Sequence, residues 1–162
     1  MTRAYVALGA NLGDPLATVR AAIEALRSLP RSQLIAASSL YRTAPVGLHN
    51  QPDFINAAAA LETQLDPQQL LAELFAIEAR FGRRRSIPNA PRTLDLDLLL
   101  HGDSVSDDPQ LTLPHPRMHL RAFVLAPLAE IAPRLSLPGH GDIHVLLRGC
   151  AEQQIESLTA LV

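Results

Sequence analysis

The sequence predicts an α+β fold, an α/β sandwich with a ferredoxin-like βαββαβ core in which helices pack on an antiparallel sheet. Two segments carry apolar residues at helical spacing, and both begin with Asp-Pro, a pair that favours a helix start. Short apolar or alternating runs typical of strands lie before, between and after them. The resulting order is strand, helix, strand, strand, helix, strand, which is that of the split βαβ motif. Because 162 residues without a visible repeat is the size of one domain, we expect a single domain over 1–162.

The N-terminal segment predicts a strand followed by a helix. "RAYVALGAN" at 3–11 alternates apolar residues and then meets a Gly-Asn-Gly cluster, which favours a strand that ends in a turn. Asp14 and Pro15 provide an N-cap and a first helical residue for "PLATVRAAIEALRSL". This helix is expected to stop before Pro30.

The next segments predict two strands and a second helix. "QLIAASSLYRT" at 33–43 is typical of a strand. "FINAAAALET" at 54–63 is ambiguous because alanine favours helix, although its flanks fit an alternating strand better. A helix then runs from Asp66 to a stop at Gly82.

The last predicted elements are a strand and a short helix. "PRTLDLDLLLHG" at 91–102 contains the strand, and a polar loop follows it. "RAFVLAPLAEIAP" at 121–133 predicts a helix closed by its final proline. These elements complete the predicted core.

Composition limits the classes of function. A formal net charge of −2 argues against general nucleic-acid binding, which needs a basic surface. The single cysteine, Cys150, excludes an internal disulfide and a cysteine-based zinc cluster. No stretch approaches the roughly 20 apolar residues of a membrane span, and the N-terminus lacks the apolar run of a signal peptide. We therefore expect a cytoplasmic protein that binds neither nucleic acid nor membranes.

Two carboxylates interrupt the apolar strand of "TLDLDLLL". Residues two apart on a strand share a face, so Asp95 and Asp97 should project side by side while the leucines between and around them face the core. Paired carboxylate oxygens suit Mg²⁺ and can hold two ions during phosphoryl transfer. The alternative is a pair of carboxylates on an edge strand that faces solvent.

A group of arginines precedes this pair, and guanidinium groups bind phosphate oxygens in bidentate geometry. Beside a metal site they indicate a polyphosphate substrate, whereas alone they would be typical of a solvated loop. The group consists of Arg80, Arg83, Arg84, Arg85 and Arg92.

A second donor cluster lies in "LTLPHPRMHLR". His115 and His119 have the spacing of a helical zinc pair, but Pro114 and Pro116 disfavour a helix there. Donors facing the same phosphates are favoured over a zinc site, and a solvated loop is favoured over both if this segment is considered alone. The donors are Thr112, His115, Arg117, His119 and Arg121.

Aromatic and amide side chains suggest recognition of a flat heterocycle. Phe54 and Asn56 would share one face of a strand, combining an aromatic plane with an amide that both donates and accepts hydrogen bonds. Phe123 would supply a ring for the opposite face. Burial of both phenylalanines in the core is the alternative.

Taken together, "ALGANLGDP", "SSLYRTAPVG", "QPDFINAAAALET", "APRTLDLDLLLHG" and "LTLPHPRMHLRAFVLAPLAEIAP" resemble the 6-hydroxymethyl-7,8-dihydropterin pyrophosphokinase family of the folate pathway. The resemblance runs from about Ala4 to Pro133. It implies a monomer that transfers pyrophosphate from ATP to the pterin hydroxymethyl group and releases AMP. Two Mg²⁺ ions are the implied cofactors.

The resemblance also implies a role for each matching position. Asp95 and Asp97 would hold both metal ions, and Arg83 and Arg92 would neutralise charge on the transferring group. The implied ATP contacts are Glu78, Arg85, Arg92, Leu98, Thr112, His115 and Arg121. The implied pterin contacts are Thr43, Val46, Phe54, Asn56 and Phe123.

Two other functions remain open from the residues alone. The carboxylate pair would also serve a metal-dependent nucleotidyl or phosphoryl transferase with a different acceptor. In a non-catalytic nucleotide-binding module, replacing Asp95 or Asp97 by alanine would leave function intact. Pterin dependence separates the first of these from the implied reaction.

Overall fold

The computed structural model describes residues 1–45, 51–82 and 94–158. The strands are β1 (Thr2–Ala10), β2 (Ser32–Ala37), β3 (Tyr41–Thr43), β4 (Phe54–Thr63), β5 (Asp95–His101), β6 (Ser106–Asp108), β7 (Leu111–Leu113), β8 (Ser136–Leu137), β9 (Gly141–Asp142) and β10 (Glu156–Ser157). The helices are α1 (Pro15–Arg27), α2 (Pro67–Arg80), α3 (Ala122–Ile131) and α4 (Ile143–Arg148), with a 3₁₀ turn at Met118–Leu120. No helix within these described ranges is long and apolar enough to cross a membrane.

The main sheet has six strands in the order β10-β3-β4-β1-β5, with β2 pairing β4 beside β3. Every pairing in it is antiparallel. The long strands β1 and β4 form the centre, paired in continuous register from Thr2–Thr63 to Ala10–Ile55. The predicted α+β fold with a ferredoxin-like core is therefore confirmed, because β1, α1, β2 with β3, β4, α2 and β5 occur in the expected order.

The two faces of the sheet are covered by different helices. The side chains of Val6 and Leu8 point with the leucines of α1 and α2 into one core, whereas Ala58 on β4 faces a second core formed with α3. This arrangement follows from the alternation of side chains along each strand. The second face also carries Asp95 and Asp97, which line a pocket with residues of α3.

Both long helices begin as their Asp-Pro pairs predict. The Asp14 carboxylate accepts a hydrogen bond from Ala17 N at 3.2 Å. Asp66 and Gln69 form a reciprocal capping box, in which Gln69 N donates to the Asp66 carboxylate at 2.8 Å and Asp66 N donates to Gln69 Oε1 at 2.9 Å. Such caps satisfy backbone donors that have no partner within the helix.

The segment predicted as one strand over 33–43 is divided into β2 and β3. Ser39 N donates to Glu130 Oε2 on α3 at 2.9 Å, so this amide is unavailable for the sheet ladder. The adjacent Ser38 hydroxyl instead accepts from Ala58 N at 2.9 Å. The interruption lets Glu130 also accept from the Tyr41 hydroxyl, which ties α3 to β3.

Several short elements had no strong sequence signal. The hairpin of β6 and β7 lies in the polar loop after β5, and β8, β9, α4 and β10 follow the last predicted helix. Strand β10 pairs with β3 and so extends the main sheet. The segment that carries β10 is therefore joined to the edge of the main sheet.

Candidate active site

Asp95 and Asp97 lie side by side at the start of β5, as their spacing predicts. Leu96 and Leu98 alternate with them and are buried at 1% and 5% exposure. Both carboxyl side chains are only partly buried and line a pocket on the α3 face of the sheet. The cost of placing charges in an apolar strand is thus reduced, because the carboxylates open onto a cleft.

Glu78 of α2 holds the backbone between these two aspartates. Its side chain is 1% exposed, and its Oε2 accepts a hydrogen bond from Leu96 N at 2.7 Å. A buried carboxylate that accepts from a backbone amide is a strong constraint on strand position. Glu78 was predicted as a nucleotide contact, and its described bond is to the strand that carries the aspartates.

A row of residues crosses the sheet beside the carboxylate pair. Tyr41 opposes Asn56, Asn56 opposes Gly9, and Gly9 opposes Asp95. Residues opposed in an antiparallel sheet project to the same face. Glycine in the middle of this row leaves open space between the Asn56 amide and the Asp95 carboxylate.

A cavity occupies this space, and we call it the first pocket. It brings together seven of the predicted site residues from three strands, the loop before α3 and α3 itself: Thr43, Phe54, Asn56, Asp95, Asp97, Arg121 and Phe123. Small or apolar residues complete its lining: Ala7, Leu8, Gly9, Ala44 and Val124. One cavity therefore contains aromatic, amide, cationic and carboxylate groups.

Asn56 is a buried polar residue of this pocket. Its side chain is 5% exposed, and its Nδ2 donates to Thr43 Oγ1 at 2.8 Å. The bond sets the orientation of the amide, with Oδ1 directed toward Gly9. A fixed buried amide of this kind is suited to reading the edge of a heterocycle.

Gly9 is a site residue that the sequence pattern did not identify, since it was interpreted only as part of a turn. In the structure it lies within β1 and lines the pocket. A Cβ placed on Gly9 would approach Asn56 Oδ1 to 3.1 Å. The sequence feature that could have identified Gly9 is its place inside an alternating strand, because a glycine there often marks a point where a ligand approaches the backbone.

Gly9→Val is expected to raise the KM for the ligand of this pocket about 100-fold, through overpacking worth about 3 kcal/mol. The branched side chain would crowd Asn56 and fill the floor of the cavity. Steady-state kinetics with each substrate varied in turn would measure the change. An equal rise in KM for a ligand that binds elsewhere on the protein would contradict a local steric effect.

Arg121 and Phe123 close the side of the pocket opposite the sheet. The Arg121 guanidinium carbon lies 5.4 Å from the centroid of the Phe123 ring. Arg121 is the residue between the 3₁₀ turn and α3, with extended backbone angles of φ −123° and ψ 112°. A cation above an aromatic face is favourable, so the two side chains support one another.

A second pocket adjoins the first at Asp97, which lines both. It contains three of the predicted nucleotide contacts, Leu98, Thr112 and His115. Its other lining residues come from α2, β5 and the loop around β7: Leu71, Phe75, Leu96, Pro109, Gln110, Leu111 and Pro116. The carboxylate pair therefore lies where two differently lined cavities meet.

His115 is held as a neutral imidazole. Its Nδ1 accepts a hydrogen bond from Arg117 N at 3.2 Å, which assigns the ring proton to Nε2. Burial, the positive charge of Arg121 and that of Arg117 lower the pKa of His115 to about 4, although Asp95 opposes this effect. At neutral pH the ring can therefore donate one hydrogen bond without carrying charge.

The lowered pKa of His115 makes stability depend on pH in a defined window. Between pH 6.5 and about 4 the unfolded chain binds a proton at this ring and the folded chain does not, so this ring lowers the unfolding free energy as pH falls. His115→Gln is expected to show a smaller loss of stability than the parent over that window. Chemical denaturation of both proteins from pH 7 to 4 measures the difference, and a constant difference would contradict it.

Four predicted site residues, Val46, Arg83, Arg85 and Arg92, lie outside the described residues. Arg84, from the same arginine group, also lies there. Of the remaining donors, His119 stacks on His140 with ring centroids 3.8 Å apart. Within residues 1–45, 51–82 and 94–158, no group of three or more His, Cys, Asp or Glu residues could hold a metal ion.

Comparisons with known proteins agree on one family. A family model described as 7,8-dihydro-6-hydroxymethylpterin-pyrophosphokinase (HPPK) matches residues 5–133. A 2-amino-4-hydroxy-6-hydroxymethyldihydropteridine pyrophosphokinase of Pseudomonas aeruginosa is 48% identical over 156 residues, covering 96% of each chain. A protein of the same name from Haemophilus influenzae is 43% identical over 158 residues, covering 98% of this chain and 99% of its own.

Solved structures show the same fold at low sequence identity. An HPPK-DHPS chain in complex with substrates superimposes with a TM-score of 0.71 and 13% identity, over 93% of this chain and 44% of the other. Plasmodium falciparum HPPK-DHPS gives a TM-score of 0.69 and 14% identity, over 92% of this chain and 43% of the other. The present chain thus spans less than half the length of these two chains.

Proposed function

Because the chain belongs to the 7,8-dihydro-6-hydroxymethylpterin-pyrophosphokinase family, we propose that its two adjoining pockets bind the two substrates of that reaction, the pterin beside Asn56 and ATP beside His115. The family predicted from the sequence motifs is confirmed. The chain is a pyrophosphokinase of folate biosynthesis. It transfers pyrophosphate from ATP to the hydroxymethyl group of 6-hydroxymethyl-7,8-dihydropterin and releases AMP.

The observation that carries the assignment of the pockets is their meeting point at Asp97. A transfer between two substrates requires the reacting atoms of both to lie within a few ångströms of each other. Carboxylates at the junction of two cavities are placed for that encounter. Each cavity must also be lined by groups that can bind its own substrate.

The first pocket has the groups that a pterin requires. A flat bicyclic ring would stack against Phe54 and Phe123, which both line the cavity. The fixed Asn56 amide offers an acceptor to the ring's amino and amide N–H groups, and Thr43 holds it in place. The hydroxymethyl group would then point toward Asp95 and Asp97.

The second pocket has the groups that a nucleotide requires. Leu71, Phe75 and Leu98 give apolar surface for a purine, and Thr112 adds a hydroxyl. His115 Nε2 supplies a neutral donor within this pocket. Arg121, which lines the adjoining first pocket, would supply a permanent charge to phosphate oxygens at the junction of the two pockets. We propose that Arg83, Arg85 and Arg92 add further charge, as the resemblance implies. Glu78 would act indirectly, through the backbone of β5.

The donor set at the junction fits Mg²⁺. Two partly exposed carboxylates offer hard oxygen ligands, and Mg²⁺ in nucleotide sites usually takes one or two carboxylates and completes its shell with water and phosphate. Asp95 and Asp97 would hold the ions. When bound, the metal supplies neutralisation of phosphate charge and orientation of the triphosphate.

The bonds that form and break lie between the two substrates, which the residues of the chain hold in position. The hydroxymethyl oxygen attacks the β-phosphorus, a P–O bond forms, the bond from the β-phosphorus to the oxygen bridging the α-phosphorus breaks, and AMP leaves. The alcohol proton passes to solvent. Phosphoryl transfer depends mainly on positioning and charge stabilisation, so no strong general base is needed among the described residues.

Product analysis tests the proposed transfer directly. Purified protein with ATP, Mg²⁺ and 6-hydroxymethyl-7,8-dihydropterin should produce AMP and the pterin diphosphate in equal amounts, and only when pterin is present. Chromatography with mass spectrometry would identify both products. Formation of ADP, or AMP released without pterin, would refute the proposed transfer. Since one chain lines both pockets, we also propose that the protein acts as a monomer.

A further inference from the structure

Gln153, in the C-terminal segment, forms hydrogen bonds to the backbone on both sides of Arg121. The side chain of Arg121 lines the first pocket. Gln153 lies beyond residue 133, where the match to the family model ends. Its Oε1 accepts a hydrogen bond from Ala122 N at 2.9 Å, and its Nε2 donates to the Leu120 carbonyl oxygen at 2.8 Å. One side-chain amide thus satisfies two backbone groups located more than thirty positions earlier in the chain.

The two backbone groups belong to the peptide units on either side of Arg121. The Leu120 carbonyl lies in the unit before Arg121 and the Ala122 N–H in the unit after it, so fixing both units fixes the φ and ψ angles of Arg121. These angles are extended, between a 3₁₀ turn and α3. Helix α3 has no side-chain cap of its own at Arg121, and Gln153 takes the place of that cap.

The segment that carries Gln153 is itself anchored. Gln153 N donates to the Cys150 carbonyl at 2.9 Å, and the Cys150 side chain is 5% exposed within the second core. Farther along, Leu158 N donates to the Leu40 carbonyl at 2.8 Å, beside the pairing of β10 with β3. The amide of Gln153 therefore projects from a fixed support and not from a free tail.

From this geometry we infer that Gln153 is a positioning residue for the reaction, which acts by fixing the backbone of Arg121. This inference rests on the proposed function, in which the Arg121 side chain contacts the phosphates of ATP. Loss of the bridge would allow Arg121 to leave the cleft and would disturb its contact with Phe123. Displacements of about 1 Å at such a group can lower activity by up to about 100-fold.

Three variants test the inference, with affinity for α,β-methylene ATP as the main measurement. This analogue keeps three phosphates and replaces the bond that the reaction breaks, so calorimetry reports binding without turnover. Gln153→Ala is expected to weaken its binding, and to lower kcat/KM for ATP, about tenfold. Gln154→Ala, an exposed neighbour in the same segment, is the matched control and should change both values less than about twofold.

Gln153→Glu separates positioning from stability. Its carboxylate still accepts from Ala122 N and places negative charge at the start of α3, which is favourable, but it has no donor for the Leu120 carbonyl. We expect a thermal midpoint close to that of the parent together with an ATP affinity as weak as that of Gln153→Ala. Unchanged affinity in both Gln153 variants would overturn the inference.

A double-mutant cycle identifies the residue through which Gln153 acts. In protein that already carries Arg121→Ala, Gln153→Ala should cause less than about a twofold further loss of affinity. The same tenfold loss in both backgrounds would overturn the inference while leaving the proposed ATP pocket intact. No loss of affinity on Arg121→Ala alone would refute both the phosphate contact and the role of Gln153.

Discussion

Asp97→Ala is expected to lower kcat at least about 1,000-fold, or about 4 kcal/mol of transition-state stabilisation, while the protein stays folded. Asp97 lines both of the proposed substrate pockets, and Asp95 precedes it on the same face of β5. Removing either carboxylate would leave too few oxygen ligands to hold the metal ions beside the triphosphate. Asp95→Ala should behave in the same way.

The decisive measurement combines turnover with thermal unfolding. Because each aspartate repels the other, either alanine substitution should leave the thermal midpoint unchanged or raise it. Asp103→Ala, which removes an exposed carboxylate just after β5, is the matched control and should keep parental activity. Residual turnover near the parental value in Asp97→Ala would refute the proposed metal-holding role.

Asn56→Ala should lower kcat/KM for the pterin about 100- to 1,000-fold, since a site built to hydrogen-bond its substrate loses far more than one built on apolar contact. The amide is buried and oriented by Thr43. Its removal would also leave the Thr43 hydroxyl without that partner, which adds a desolvation cost of about 1–3 kcal/mol.

Binding of the two substrates distinguishes this effect from general damage. Affinity for α,β-methylene ATP should stay within about twofold of the parent value, because Asn56 lines only the first pocket. Thr43→Val keeps the size of its side chain and removes only the hydroxyl, so it should cause a smaller loss in the same parameter. Weaker ATP binding with unchanged pterin kinetics would show that the pockets are assigned in the wrong order.

Local patterns in the sequence were sufficient for the long elements. The Asp-Pro pairs place the starts of α1 and α2 at Pro15 and Pro67. The alternation around Asp95 and Asp97 correctly predicts which side chains of β5 face the core. Such features depend on residues only a few positions apart, and helix caps and strand alternation are decided at that range.

The short elements after residue 133 and the break at Ser38 were not predicted. Strand β10 has two residues and exists because it pairs with β3, more than a hundred positions earlier. Ser39 leaves the ladder because Glu130 on α3 accepts its amide hydrogen. The residues near β10 in the sequence do not indicate that it pairs with β3. Likewise, the residues near Ser39 do not indicate that Glu130 accepts its amide hydrogen.

The sequence by itself determined the fold class, the paired carboxylates and the family, because each can be recognised from short motifs of neighbouring residues. Only the tertiary structure decided how the site is built between them. It showed that Gly9 provides the open floor beside Asn56, that Glu78 holds the backbone of β5 and that Gln153 bridges the peptides around Arg121. These residues act through hydrogen bonds and close approaches between distant segments, and such contacts form only once the sheet, α2 and α3 have packed together.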